Sequence, residues 1–195
     1  MGQLIYSMIV SLDGYVSDQQ GRFDWGMPDE EVLAAVNNDM ETVGTYLYGR
    51  HMYEVMQVWE TDPHIARGSP GSQAFATLWQ QADKVVYSTG LAETPTNRTQ
   101  LRREFDPVEV QRLKVSSRKH LTVDGPTLAA AAFRHDLVDQ IHMIICPVVA
   151  GGGLAFFPNR PMDLELVQQQ RFGNGMVQLQ YEVQHVAEPA GRKGY

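Results

Sequence analysis

A guanidinium beside a glycine at a strand-to-helix corner can hold a phosphate, and Tyr48-Gly-Arg-His-Met-Tyr-Glu54 offers that pairing. The apolar run Thr45 to Tyr48 gives way there to a helical pattern. Gly49 lets backbone approach a ligand closely, and the amides that follow are unpaired donors at a helix N-terminus. Arg50 adds a planar cation suited to bidentate phosphate contact. A second corner, Ser88-Thr-Gly90, follows the strand-like Lys84 to Tyr87, and its hydroxyls and amides can take a phosphate or a ribose. An ordinary polar turn would account for it equally well. The third corner, Val123-Asp-Gly-Pro-Thr-Leu128, sets Gly125 at a strand end with Pro126 and Thr127 opening a helix. Its free amides and the helix dipole can cradle a pyrophosphate, and proline, lacking an N–H, leaves that work to its neighbours. Gly151-Gly-Gly153 closes a further strand, where either ligand approach or a simple turn explains the glycines. Together the corners read as one distributed nucleotide site, because ligands of open parallel sheets sit beyond the C-terminal strand ends.

Carboxylates and an aromatic ring supply a second chemistry. Ser11-Leu-Asp-Gly14 breaks the first strand, and Asp13-Gly14 also suits a plain turn. Asp24-Trp25 precedes Pro28-Asp-Glu30, so a Trp wall for a planar substrate would stand beside acids able to accept from ring N–H groups. A capping cluster with a core Trp is the simpler alternative. The six histidines are scattered without metal-ligand spacing, so no metal is expected. Neither a Gly-x-Ser-x-Gly elbow, a phosphate loop ending Gly-Lys-Ser/Thr, nor a Gly-x-Gly-x-x-Gly after the first strand occurs.

The chain that must position these groups has 195 residues, enough for one domain burying roughly 70% of its unfolded surface. At 43% hydrophobic and 20% charged its composition is that of a globular protein. A net charge of -7 argues against nucleic acid as a partner. The single Cys146 excludes an internal disulfide and a cysteine metal cluster. With no signal peptide read at the N-terminus, a cytoplasmic setting is expected. No apolar run approaches the ~20 residues that span a bilayer, so no membrane association is expected.

Strands are expected over Leu4 to Val10, Thr45 to Tyr48, Lys84 to Tyr87, His120 to Val123, Gln140 to Val149 and Met176 to Val186. Helices are expected from Pro28 through Met40, over Met52 to Trp59, Ala74 to Ala82, from Asp106-Pro107 onward, and from Pro126 to about Arg134. Glu60 to Ser72, with two prolines and two glycines, reads as a loop, Thr94 to Thr99 as a turn, and Phe172-Gly-Asn-Gly175 as a hairpin turn. Alternating strand and helix predicts an α/β fold of three layers, α/β/α, around a mixed, mainly parallel sheet with a C-terminal antiparallel hairpin. Residues 1–188 read as a single domain and 189–195 as a flexible tail.

These pieces resemble the dihydrofolate reductase-like superfamily. More closely, the chain is similar to the C-terminal reductase domain of the bifunctional riboflavin-biosynthesis deaminase/reductases, in stand-alone form. The matching residues run in family order: Ser11-Leu-Asp-Gly-Tyr-Val16, Asp24-Trp25, Leu47-Tyr-Gly-Arg-His-Met-Tyr-Glu54, Val123-Asp-Gly-Pro-Thr-Leu-Ala129, and Leu137-Val-Asp-Gln-Ile141 leading to Pro147-Val-Val-Ala-Gly-Gly152. The resemblance implies NADPH as hydride donor. It sets Gly49 and Arg50 near the 2'-phosphate, Ser88 and Thr89 at the adenosine part, and Gly125, Pro126, Thr127 and Leu128 at the pyrophosphate. Gly151 and Gly152 complete the expected cofactor contacts. Trp25-Gly-Met-Pro-Asp-Glu30 is similar to the folate enzymes' Trp-x-x-Pro-x-acid, which makes Glu30 the expected substrate-orienting carboxylate. Glu30 and Asp13 are the candidate catalytic acids, and Asp24 and Trp25 the candidate substrate contacts.

Three residues or motifs depart from the family pattern. Met52 stands where dihydrofolate reductases usually carry Thr, and Val123 where riboflavin-pathway reductases tend to carry Glu. The deaminase half, which needs Pro-Cys-x-x-Cys, cannot be built from one cysteine. The expected activity is hydride transfer from NADPH to a C=N or C=O of a small pterin- or pyrimidine-like heterocycle, by a homodimer as the resemblance implies. A non-catalytic nucleotide- or pterin-binding module on the same fold is the alternative.

Overall fold

The computed structural model describes residues 1–184. In chain order these form β1 (Leu4–Ser11), β2 (Tyr15–Ser17), a 3-10 turn (Asp24–Gly26), α1 (Glu30–Met40), β3 (Val43–Gly49) and α2 (Arg50–Met56). Then come α3 (Val58–Thr61), α4 (Pro63–Ala66), α5 (Pro70–Gln81), β4 (Asp83–Tyr87), β5 (Thr99–Arg102) and α6 (Pro107–Ser116). The series continues with β6 (His120–Asp124), α7 (Pro126–Arg134), β7 (Gln140–Cys146), β8 (Leu154–Ala155), β9 (Asp163–Arg171) and β10 (Val177–Gln184). The expected strand end at Val186 and the tail 189–195 lie outside the described residues.

Eight strands make one sheet in the order β5-β4-β3-β6-β1-β7-β10-β9, and β2 pairs with β8 in a small second sheet. β1, β3, β4, β5, β6 and β7 run parallel, so their C-terminal ends share one edge. β10 returns antiparallel beside β7, and β9 pairs antiparallel outside it. The mixed three-layer fold expected from the sequence is therefore the fold observed.

Strand alternation sorts the core onto two faces. Leu47, Val85, Tyr87, Leu121 and Val123 pack with Val110 of α6 and with Leu128, Ala132 and Phe133 of α7. On the opposite face Tyr46, Tyr48 and Val86 pack with Leu33 and Met40 of α1 and with Phe75 and Trp79 of α5. Burying one such side chain is worth about 1.5–3 kcal/mol, so these two layers hold the strand ends in line.

Helix starts follow capping chemistry more closely than the breaker residues suggest. Asp29 caps α1 by accepting from Val32 N at 3.0 Å, so Pro28 lies before the cap rather than inside the helix. The stretch read as a loop from Glu60 to Ser72 instead holds the end of α3, all of α4 and the start of α5. Asp62 caps α4 and Ser69 caps α5, each followed by proline at the first helical position. Proline opens a helix at no hydrogen-bond cost there, which is why the same residues pass for breakers in sequence.

The structure shortens β7, which ends at Cys146 rather than Val149. Ser11 and Cys146 form the last pair, and Pro147 has no N–H to continue the ladder. The short strands β2, β5 and β8 carry too few alternating residues to announce themselves. Phe172-Gly-Asn-Gly175 does form the tight connection between β9 and β10, with Gly175 N donating to Phe172 O at 3.1 Å and Gly175 at φ 88°.

Candidate functional site

Six parallel strands end at Ser11, Gly49, Tyr87, Arg102, Asp124 and Cys146, and the candidate residues follow those ends. Gly49 and Arg50 join β3 directly to α2. Gly49 is extended at φ −75°, and an added Cβ would meet only Leu128 Cβ, 4.0 Å away. Its role is thus room for close approach, not an unusual backbone. Arg50 is exposed at the start of α2, with Glu54 at a loose 4.0 Å.

Beyond β4, Ser88 folds its own turn. Its hydroxyl accepts from Gly90 N at 3.2 Å and Leu91 N at 3.0 Å, so that oxygen is occupied within the chain. Thr89 and Gly90 stay exposed. Arg103, just past β5, donates from Nη1 to Ser88 O at 3.0 Å and to Leu91 O at 2.6 Å, fixing the turn while holding a positive charge beside it. Arg50, Tyr87, Ser88, Thr89, Gly90 and Arg103 line an open depression of about 530 Å³. Arg103 escaped the sequence reading because β5, the strand that delivers it, was not recognised. The Arg102-Arg103 pair was the only available signal.

At the third corner Gly125 has φ 93°, where an L-residue would be strained, and its added Cβ would stand 3.4 Å from Met52 Cβ. Gly125 N donates to Met8 Sδ at 3.3 Å. Pro126 takes the first position of α7, Thr127 is exposed beside it, and Leu128 is buried in the core. Only the backbone of Leu128 can therefore serve a ligand. The contacts of Gly49 with Leu128 and of Gly125 with Met52 bring the first and third corners against each other.

Asp13 lies at the end of β1 and is fully engaged. It accepts from Ser11 Oγ at 2.6 Å, Ala150 N at 2.9 Å and Gly151 N at 2.8 Å. The Ser11 hydroxyl first, and then the Ala150 amide, hold its carboxyl down at about 2. Asp13 thereby pins the 147–153 segment. Gly153 packs where a Cβ would lie 2.0 Å from Ser17 O, so its glycine answers to the chain's own packing, whereas Gly151 is open on that side. Gly152 sits between them at φ 135°.

Asp24 and Trp25 lie in the 3-10 turn, with Asp24 exposed and Trp25 half-buried against the cluster that holds Val32, Ile144 and Phe172. Glu30 opens α1 and is exposed, and its Oε2 accepts from Gly71 N at 3.2 Å near the start of α5. No contact links Glu30 to the three corners among the described residues.

Sequence reasoning passed over Asp124. It ends β6 between Gly49 and Gly125, paired in register with Tyr48. Its Oδ2 accepts from Thr122 Oγ1 at 2.9 Å. Burial pushes its carboxyl up to about 7, against the pull of the Thr122 hydrogen bond. A carboxylate closing the His120-Leu-Thr-Val-Asp124 strand, directly before Gly125, was the available signal. Among the described residues no group of three or more His, Cys, Asp or Glu is placed to hold a metal ion, and no helix is long and apolar enough to cross a membrane.

The sheet order, with its six aligned strand ends, defines the dihydrofolate reductase-like class of α/β/α fold. Residues 3–178 match the RibD C-terminal domain family, and the chain belongs to it. It is 25% identical over 188 residues to the uncharacterized protein YyaP of Bacillus subtilis (strain 168), covering 92% of this chain and 94% of that one. Among solved structures, a pyrimidine reductase-like protein from Corynebacterium diphtheriae superposes with TM-score 0.68 at 12% identity, over 95% of this chain and 93% of that one. The deaminase/5-amino-6-(5-phosphoribosylamino)uracil reductase of Thermotoga maritima superposes with TM-score 0.62 at 14% identity, over 93% of this chain and 56% of that one.

Proposed function

We propose that the protein is an NADPH-dependent reductase acting on a C=N or C=O bond of a small pterin- or pyrimidine-like heterocycle. Family membership supports the reductase class. The observation that carries the cofactor is the depression lined by Arg50 and Arg103, together with the first turn of α7, whose Leu128 meets the Gly49-Arg50 corner. Two guanidinium groups suit a dianionic phosphate, and a nine-residue helix opening at a positive-φ glycine suits a pyrophosphate. NADPH, once bound, supplies the hydride.

The chain's own residues then have distinct tasks. Arg50, with Gly49 leaving room beside it, and Arg103 hold the 2'-phosphate, while Ser88 and Thr89 form the turn that receives the adenosine part. Gly125, Pro126, Thr127 and the Leu128 amide receive the pyrophosphate. Gly151 and Gly152, held by Asp13, close the far end. Trp25 and Asp24 wall the substrate, and Glu30 orients it by accepting from ring N–H groups. Asp13 remains ionised and offers fixed negative charge to an electrophile that is protonated or hydrogen-bonded. Correct placement of this kind contributes on the order of 7–11 kcal/mol of barrier reduction in the best cases. We place the enzyme in the cytoplasm, as a homodimer.

Calorimetric titration of NADPH and NADH into wild type and Arg50→Ala tests this reading. Loss of a charge-assisted phosphate contact is expected to weaken NADPH by roughly 10–100-fold and NADH by little. Equal affinity of wild type for the two nucleotides would remove the 2'-phosphate role. NADPH oxidation across pterins, quinazolines and ribosylaminopyrimidines then separates an enzyme from a binding module. The same panel with Glu30→Gln should show reduced turnover with little change in NADPH affinity.

A further inference from the structure

Reducing a C=N or C=O bond needs a proton as well as a hydride, and the acids nominated so far are poorly placed to give one. Asp13 is bound by three donors and stays ionised down to about 2. Glu30 has Oε2 on the Gly71 amide, and no contact joins it to the corners among the described residues. Asp124 differs on each count. It is the last residue of β6, flanked by the Gly49-Arg50 corner on β3 and followed at once by Gly125. One hydrogen bond, from Thr122, reaches its Oδ2, which leaves Oδ1 without a protein donor among the described residues. The residue as a whole is 7% exposed, buried at the end of β6.

Position along the edge strengthens the case. Parallel strands lie about 4.8 Å apart, so β4 and β1, three steps apart in the sheet order, are separated by roughly 14 Å. On the reading proposed above, on which this inference rests, the phosphate end of the nucleotide enters at β4 and β5. The pyrophosphate is received at the start of α7, directly after Asp124, and the ring end continues from there toward β1. Asp124 at the end of β6 and Asp13 just past the end of β1 are the carboxylates on that stretch of the edge.

We infer that Asp124 is the acid that delivers the proton during reduction. The substrate carbon gains a hydride, a hydrogen with two electrons, from the dihydronicotinamide. The substrate nitrogen or oxygen gains H⁺ from Asp124 as the carboxyl O–H bond breaks and the N–H or O–H bond forms. Asp124 is left as the carboxylate and takes a proton back from water before the next turnover. A working acid needs its pKa near the operating pH, and burial sets Asp124 at about 7. The titratable groups around it are phenols: Tyr6 on β1, and Tyr46 and Tyr48 on β3, each pushed up first by burial and next by the Asp124 charge. Tyr46 Oη is buried without a hydrogen-bond partner. From α7, which packs on β6, the one charged side chain is Arg134 in the last turn, at the end away from Asp124. Arg50 at the neighbouring corner is exposed and lies by Glu54, and among the described residues no cation forms an ion pair with Asp124.

Thermodynamic linkage tests this without a substrate. NADP⁺ carries a cationic ring and NADPH a neutral one, so an ionised Asp124 nearby favours NADP⁺. The ratio of NADPH to NADP⁺ dissociation constants should rise about tenfold between pH 5.5 and 8.5, the equivalent of one pK unit. Taking the ratio cancels titration of the shared 2'-phosphate. Asp124→Asn should abolish the rise. In wild type labelled with ¹³C-aspartate, one side-chain carboxyl should titrate near neutrality and shift to lower pH when NADP⁺ is bound. This last measurement needs no variant to fold. A pH-independent ratio, a rise that survives in Asp124→Asn, or no aspartate titrating above pH 6 would overturn the assignment while leaving the nucleotide reading intact. Failure of both nucleotides to bind would instead overturn the nucleotide reading, and the assignment with it.

Discussion

Asp13, just past the end of β1, and Asp124, the last residue of the neighbouring β6, lie in environments that drive them apart. Three donors stabilise the Asp13 anion, and burial among aromatic neighbours destabilises the Asp124 anion. The pH consequences have opposite signs. For Asp124 the folded value lies above the ordinary 3.8, so the folded state binds the extra proton between about 4 and 7. Its stabilising contribution is complete below about 4 and disappears as pH rises through about 7. Urea unfolding of Asp124→Asn at pH 4.5 and 7.5 should therefore show a smaller loss of stability on raising the pH than wild type does. Asp13 is the reverse case: its contribution is present above the ordinary 3.8 and lost as pH falls through about 2. Asp13→Asn should speed hydrogen exchange of the Ala150 and Gly151 amides at neutral pH, and unchanged exchange would show that the carboxylate does not hold that segment.

At the scale of elements, the corners depend on short connections that sequence pattern describes unevenly. The strands β1, β3, β4, β6 and β7 were legible because their apolar runs are strong, and α7 because Gly-Pro-Thr marks its start. Arg50, Ser88, Thr89 and Gly125 could be nominated from those boundaries. Arg103 could not, since Thr99–Arg102 is a four-residue edge strand with no alternation to reveal it. Asp124 was hidden differently: its strand was recognised, but the effect of packing against Tyr46 and Tyr48 is a property of the assembled sheet. Helix α4 and the first turn of α5 were obscured because Pro63 and Pro70 act as first-turn residues. Gly153 shows that not every glycine at the edge serves a ligand. An alanine there places Cβ on Ser17 O at φ 137°, so the segment must shift. Gly153→Ala should cost at least about 2 kcal/mol and lower Tm by roughly 4–8 °C. A Tm within 1 °C of wild type would show that the segment yields freely.

For the whole molecule, the fold's contribution is alignment. Six parallel strands packed between two helical layers bring residues as distant in sequence as Asp13 and Gly151, or Gly49 and Leu128, to one edge. No single corner is selective, since each could be an ordinary turn. On the reading proposed above, selectivity comes from the fixed spacing from the Arg50 and Arg103 depression, past α7, to the strand ends of β6 and β1. The most direct measurement is backbone amide chemical-shift mapping of the whole chain during NADPH titration. Saturable shifts should appear together at 49–52, at 88–91 and at Gly125, Thr127 and Leu128, with Arg103 among them. Absence of saturable shifts, or shifts confined to β9 and β10, would contradict a nucleotide site on this edge.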